Sequence, residues 1–360
     1  MFDLIIIGGG PAGTAAAITA ARRGAGVLLL ERGRLPRHKV CGEFVSAESL
    51  ELLGTLLASP HDALLRDAVR ISSSRVFLDG RVLQTPIRPA AASIPRLDLD
   101  AALWESAVEA GVEARQQTVV QSVSGAGPFR VATSDGVFEG STVINASGRW
   151  SNLNRTTDAP GEKWLGVKAH FAEASPPNSV DLYFFEGGYC GVQPVDCGEA
   201  GAGRVNVAAM VRAGIASTLP EVYPHHPALL ERSRQWLPLS DSVTTSPLIF
   251  RQPEPVREGI LLAGDAAGFV DPFVGDGISL ALRSGALAAD CLNEFFRQTA
   301  SLARATADYQ MAYQKRFVPI FGASSQIRRM LRLPRAVRKP LLFVLENTPA
   351  FTEYLVTRTR

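Results

Sequence analysis

Phe2-Asp3-Leu4-Ile5-Ile6-Ile7-Gly8-Gly9-Gly10-Pro11-Ala12-Gly13 follows the first methionine, and the reading of this stretch decides the fold. The apolar run from Phe2 to Ile7 has strand length, the glycines break it, and Ala15 to Arg23 continues as an alanine-rich helical stretch. Gly24 to Gly26 ends that helix, and Val27 to Leu30 forms a second apolar strand closing on Glu31. Strand, tight turn, helix and second strand, with an acid at its tip, are the parts of a dinucleotide-binding unit.

Each position has a physical reason. Gly8 lets the chain turn tightly out of the strand, Gly10 leaves room for a pyrophosphate against the backbone, and Gly13 lets the helix pack closely on the strand. The helix N-terminus then offers free N–H groups and the positive end of its dipole to the phosphates. Glu31 can accept both hydroxyls of an adenosine ribose. FAD and NAD share this fingerprint, so these residues leave the choice between them open.

A chain of 360 residues exceeds one ordinary domain and can bury a large core. Hydrophobic residues at 46%, charged residues at 20% and a net charge of +2 are globular values that give no reason to expect nucleic acid. A small-molecule partner fits better. Cys41, Cys190, Cys197 and Cys291 are widely spaced, without a C-x-x-C pair or a metal-like cluster with the five histidines. Free thiols in a reducing cytoplasm, and no metal site, are therefore expected. The N-terminal apolar run is short for a signal sequence, and no segment has the roughly eighteen uninterrupted apolar residues of a membrane span.

After Glu31, the basic loop Arg32 to Lys39 runs into Val40-Cys41-Gly42-Glu43. It reads as a loop near the cofactor or as a solvated loop with a turn glycine. Ala47 to Leu57 is expected to be a helix. From Ala68 to Ile94 the pattern alternates, with Asp79-Gly80 as a hairpin turn, which marks the first visit to a second domain. A helix is expected over Ala101 to Ala110, capped by Asp98 or Asp100. Val119 to Val123, Phe129 to Thr133 and Val137 to Glu139 read as a meander, and Ser141 to Ala146 as a separate strand ending in Ser147-Gly148.

Trp164 to Arg212 alternates as a half-buried antiparallel sheet, which can wall an apolar pocket with Tyr189, Phe184 and Trp164, or simply place them in a core. Ile260 to Asp265 returns to the pattern of a buried strand ending in Gly-Asp. Gly275-Asp276-Gly277 then precedes a long helix from Ile278, a second element expected to face the cofactor. Between Lys315 and Lys339 stand eight basic residues and no acid. The segment reads as a solvated basic face on packed helices, or as a contact for an anionic membrane surface or an acidic carrier.

Three separated elements together resemble the FAD-dependent oxidoreductases of the p-hydroxybenzoate hydroxylase fold, in its geranylgeranyl reductase-like and flavin halogenase-like branch. They are Gly8-x-Gly10-x-x-Gly13 with Glu31, the loop Lys39-x-Cys41-Gly42-Glu43, and Gly264-Asp265-Ala266-Ala267-Gly268 with Pro272, Gly275, Gly277 and Ile278. The resemblance spans residues 1 to about 300. It implies an α/β chain, a Rossmann-type FAD-binding domain with a parallel sheet (1–67, 95–160 and 255–300). Interleaved with it would be a mainly antiparallel substrate domain (68–94 and 161–254), followed by a basic helical C-terminal segment (301–360).

The resemblance also implies roles. Gly8, Gly10 and Gly13 would cradle the FAD pyrophosphate, Glu31 the adenosine ribose, and Arg96 would meet the cofactor near its phosphates. Asp265 would bind the ribityl chain, and the N–H groups of Gly277 and Ile278 would face the flavin pyrimidine edge. Cys41 would border the flavin face, with a buried inert thiol as the alternative.

Ser147-Gly148 replaces the Asp-Gly pair of the hydroxylases, which argues against aromatic hydroxylation. Gly188-Tyr189-Cys190-Gly191-Val192-Gln193-Pro194 lacks W-x-W-x-I-P, which argues against halogenation; it is similar to the G-Y-x-W-x-F-P of geranylgeranyl reductases, with Gly191 and Gln193 at the aromatic positions. The expectation is an FAD enzyme, with NADH or NADPH as transient reductant, that reduces a carbon–carbon double bond in a lipophilic substrate. The alternatives are a monooxygenase of an aromatic or polyketide-like substrate and a non-catalytic flavin-binding redox sensor or interaction protein. The oligomeric state stays open.

Overall fold

The computed structural model describes residues 1–149, 153, 163–196, 202–245, 248, 250–331, 333–338 and 340. Cys197, Arg332, Lys339 and residues 341–360 of the basic C-terminal segment lie outside the described residues. In chain order, the elements that position the site begin with β1 (Phe2–Ile7), α1 (Pro11–Ala21), β2 (Val27–Leu30), β3 (Val69–Leu78) and β4 (Arg81–Ser93). Then come α2 (Arg96–Glu109), β5 (Gly136–Asn145), β6 (Trp164–Ala174), β7 (Ser179–Phe185), β8 (Gly188–Asp196) and β9 (Ala202–Arg212). The last are β10 (Ile260–Leu262), α3 (Gly277–Phe296), α4 (Leu302–Arg316) and α5 (Val318–Leu331).

β1 is the middle of the first sheet, paired in parallel with β2 on one side and β5 on the other; β10 continues the parallel order beyond β5. Its side chains alternate between two cores, as the strand period of two requires. Leu4 and Ile6 meet α1 and α3 in the larger core, while Ile5 and Ile7 meet Phe129 and Val131 of the meander on the opposite face. Burial on both faces is why β1 reads as a continuous apolar run.

Among the described residues the second sheet has nine strands, in which β6, β9, β8 and β7 follow one another antiparallel and β7 joins β3 in parallel. The β3–β4 hairpin turns at Asp79 and Gly80, both with positive φ (54° and 82°), the backbone a two-residue hairpin turn needs. Phe44–Val45 also pairs into this sheet, against Ala92 and Ser93, so the chain touches it before β3.

Two local expectations give way. The third meander strand and the strand ending at Ala146 are one strand, β5. It runs beside β1 through Gly140, where a Cβ would lie 2.8 Å from the side-chain Cγ1 of Ile5. The helix expected from Ala101 starts at Arg96, directly after Pro95, and neither Asp98 nor Asp100 caps it. The orphan N–H of Arg96 is satisfied instead by Glu43 Oε1 at 2.9 Å.

Candidate functional site

Gly8, with φ +109°, leaves β1 so close to the end of β5 that a Cβ would stand 2.4 Å from Ala146 O. At Gly13 a Cβ would stand 1.8 Å from Gly8 O, so this glycine packs α1 on the turn and does not itself face the cavity. Gly10 differs in kind. The nearest atom to a Cβ built there is Lys39 Nζ at 3.9 Å, so bare backbone faces open space. That space is a cavity of about 710 Å³ reaching from the glycine turn to the second sheet and α5.

α1 and α3 both aim their N-termini at this cavity. They pack together at Gly285, where a Cβ would meet Ala12 O at 2.0 Å. Neither helix has a side-chain cap or an acid in its first turn, so their dipoles and free N–H groups are available to an anion. Gly277 and Ile278 open α3 and line the cavity. Glu31, only 4% exposed, lines it from the tip of β2. Its Oε2 accepts the N–H of Gly9 at 2.8 Å, while Oε1 accepts from Gly33 N and Arg37 Nη2.

Beside the Glu31–Arg37 pair, charge near Gly10 comes from Arg96, Asp100 and Lys39. Asp100 accepts both guanidinium hydrogen bonds of Arg96, at 2.8 and 2.9 Å, and pairs with Lys39 Nζ at 2.7 Å. Burial alone would raise the Asp100 carboxyl, but Arg96 and Lys39 hold it below the usual carboxylate range. Burial lowers the Lys39 ammonium, with Asp100 opposing and Arg96 adding to the effect. Two cations against one carboxylate leave positive charge at the cavity edge where Arg96 and Lys39 line it. Lys39 opens the loop motif Lys39-x-Cys41-Gly42-Glu43 but carries no role in the sequence reading; its place in a basic loop gave no sign that it reaches Gly10.

Asp265 follows β10 and lines the same cavity, with Arg149 Nη1 3.9 Å from its Oδ2. Burial raises its carboxyl pKa, Arg149 and Arg96 only partly offsetting it. Cys41 lines the cavity beside these groups, its Sγ accepting the N–H of Glu43 at 3.3 Å. Cys190, fully buried outside the lining, has its thiol pushed up to about 12 by burial and is inert by comparison.

The far half of the cavity is apolar. Tyr189 and Phe184 line it, their rings 5.4 Å apart, with Phe273 edge-on to both. Trp164 packs in the same aromatic cluster but is not among the lining residues. Val76, Leu78 and Leu83 of the hairpin face Met330 and Leu331 of α5 across one cluster. The basic C-terminal segment therefore spends its apolar side on the molecule itself. Phe317, Ile320 and Phe321 are buried, and Arg328 and Arg338 pair with Asp271 and Asp79 at 3.0 and 2.7 Å. Among the described residues no group of His, Cys, Asp and Glu is placed to hold a metal ion, and no helix is long and apolar enough to cross a membrane.

The family model described as FAD dependent oxidoreductase matches residues 3–55, the turn from which this site grows. Digeranylgeranylglycerophospholipid reductase 2 of Methanopyrus kandleri is 29% identical over 345 residues, covering 89% of this chain and 83% of its own. Menaquinone reductase of Mycolicibacterium smegmatis is 28% identical over 366 residues, covering 92% and 85%. The chain is an FAD-dependent oxidoreductase. Its resemblance runs to the geranylgeranyl reductase-like and halogenase-like branch, and the fold of this oxidoreductase is shared with the flavin-dependent brominase Bmp2 (TM-score 0.78, 20% identity, 99% of this chain and 93% of that one). At that identity the likeness concerns the fold alone.

The residues of the oxidoreductase fit FAD. The open backbone at Gly10, two uncapped helix N-termini and the surplus charge of Lys39 and Arg96 suit a pyrophosphate. Glu31 retains acceptor capacity for one ribose hydroxyl, since its two oxygens offer about four lone-pair positions and three are taken.

Proposed function

We propose that this oxidoreductase reduces a carbon–carbon double bond of a lipophilic substrate, using NADH or NADPH as a transient donor. The observation that carries the reading is one continuous cavity, cofactor-facing at the Gly10 end and walled at the other by Leu78, Leu83, Phe184, Met330 and Leu331. The names of the two reductase relatives support it, since both act on apolar lipids or quinones by those names. Bound FAD supplies the hydride chemistry.

The chain's own part is to bind, orient and exclude water. Gly8 and Gly10 with the α1 N-terminus hold the pyrophosphate, Glu31 the ribose and Asp265 the ribityl chain. The N–H groups of Gly277 and Ile278, at the N-terminus of α3, would hold the flavin ring and would favour negative charge on it. The apolar walls align the substrate and keep water from it. Cys41 is the side chain proposed to border the reacting face; unchanged turnover in Cys41→Ala would remove it from the mechanism. Lys315, Arg316 and Arg329, all exposed, are proposed to rest on an anionic membrane surface, which liposome flotation at low and high salt tests.

The deciding experiment incubates the FAD-loaded protein anaerobically with NADPH or NADH and a polyisoprenoid lipid or quinone, then reads product mass. A gain of two hydrogens per double bond supports the reading. No anaerobic product, with oxygen incorporated under air, would replace it with the monooxygenase.

A further inference from the structure

We infer that Glu43 is a positioning residue whose carboxylate locks the loop bearing Lys39 and Cys41 to the N-terminus of α2 and to β6 of the second sheet, thereby fixing the geometry of the FAD site. Its side chain is 1% exposed and reaches two elements, α2 and β6, through three partners. Oε1 accepts from the backbone N–H of Arg96 at 2.9 Å and from Lys168 Nζ at 2.8 Å. Oε2 lies 2.8 Å from His170 Nε2. Lys168 and His170 are alternate residues of β6, so both side chains leave the same face of the strand, and both are almost fully buried.

The backbone of Glu43 is tied as well. Its carbonyl accepts the N–H of Ile94, just before α2, and its N–H donates to Cys41 Sγ. With φ at +61° it occupies the left-handed region that residues bearing a side chain rarely adopt, so the turn is held by these contacts and not by local preference. Arg96, whose N–H Glu43 holds, carries the guanidinium that grips Asp100, and Asp100 in turn grips Lys39. A buried carboxylate needs such partners, and here every partner lies on an element that lines the cofactor half of the cavity or joins it to the substrate sheet. No comparable reach belongs to Asp181, a buried acid of the second sheet, whose partners Arg75, Arg232 and Ser179 stay within that part of the molecule.

The test compares Glu43→Gln with Asp181→Asn, a lesion of the same sheet without a link to the loop. FAD affinity is measured by titration of the apoprotein, and the flavin environment by visible absorption and circular dichroism. Glu43→Gln is expected to weaken FAD binding about tenfold and to shift the flavin bands, whereas Asp181→Asn lowers thermal stability with affinity and bands unchanged. His170→Asn, which removes one partner and keeps the carboxylate, is expected to move the same readouts less, and decides alone if Glu43→Gln does not fold. A folded Glu43→Gln, or failing that a folded His170→Asn, with wild-type FAD affinity and bands overturns the inference. None of these readouts depends on which substrate the enzyme reduces.

Discussion

Lys39 Nζ and Asp100 Oδ2 lie 2.7 Å apart at the edge of the cavity beside Gly10, and the same carboxylate carries both hydrogen bonds of Arg96. Asp100 has no exposed side-chain surface, so the pair holds Lys39 against the open backbone of the glycine turn. Removing the ammonium with Lys39→Met should cost about 2 kcal/mol of FAD binding, roughly thirtyfold in Kd. Flavin titration measures it; an unchanged Kd would place the phosphates elsewhere.

The glycines of the turn should separate by function. Gly13→Ala forces a Cβ to within 1.8 Å of Gly8 O, an overpacking expected to cost the apoprotein about 3 kcal/mol. Gly10→Ala adds a Cβ into open space, so the apoprotein should melt as the wild type does while FAD binding is lost. Melting curves with and without FAD distinguish the two.

Asp265 should trade stability for binding. Burial raises its carboxyl above the ordinary 3.8, so ionisation costs the folded state. That cost sets in as pH rises past 3.8 and is complete above the folded value. Asp265→Asn should therefore stabilise the apoprotein at neutral pH, make little difference below 3.8, and weaken FAD binding. A variant no more stable than wild type at pH 7 would contradict this.

Glu43 should carry the opposite signature. Burial pushes its carboxyl up, but the hydrogen bond from His170 and the charge of Lys168 hold it below the ordinary 4.5, with His38 edge-on to His170 as the next titratable ring. Its stabilisation is full above 4.5 and is lost as pH falls through the lowered folded value. The gap in melting temperature between wild type and Glu43→Gln should widen from neutral pH towards 4.5, because the Glu43 charge partly offsets the lowering of His38, and narrow below it. A gap independent of pH down to acid unfolding would count against the ionised carboxylate.

Met330 should set the length of substrate accepted. It faces Leu78 and Leu83 across the apolar end of the cavity, far from Gly10. Met330→Trp is expected to raise KM about tenfold for a long isoprenoid chain and to spare a short one, with FAD affinity unchanged. Equal effects on both chains would move the boundary of the pocket elsewhere.

The glycine turn, the strand before it and the Gly-Asp element were legible in the chain because their constraints are local. Gly8 must take a positive φ, and β1 must be apolar on both faces. The start of α2 was misread for the complementary reason. Its capping group is Glu43, 53 residues away, and no local pattern announces a cap supplied across the fold. Gly140 likewise hid one long strand inside what read as two, since a glycine between short apolar runs looks like a turn until Ile5 is seen beneath it.

By itself the sequence determined the dinucleotide-binding unit, the alternation of a parallel with an antiparallel sheet and the basic, apolar-striped C-terminal segment, because backbone conformation and hydrophobic period are properties of neighbours along the chain. Only the tertiary structure decided that Lys39 stands at Gly10, that Glu43 joins loop, helix and sheet, and that Met330 and Leu331 close the cavity against the Asp79–Gly80 hairpin. Buried charges and cavity walls take their partners from distant parts of the chain, and distance along the chain carries no record of contact in space.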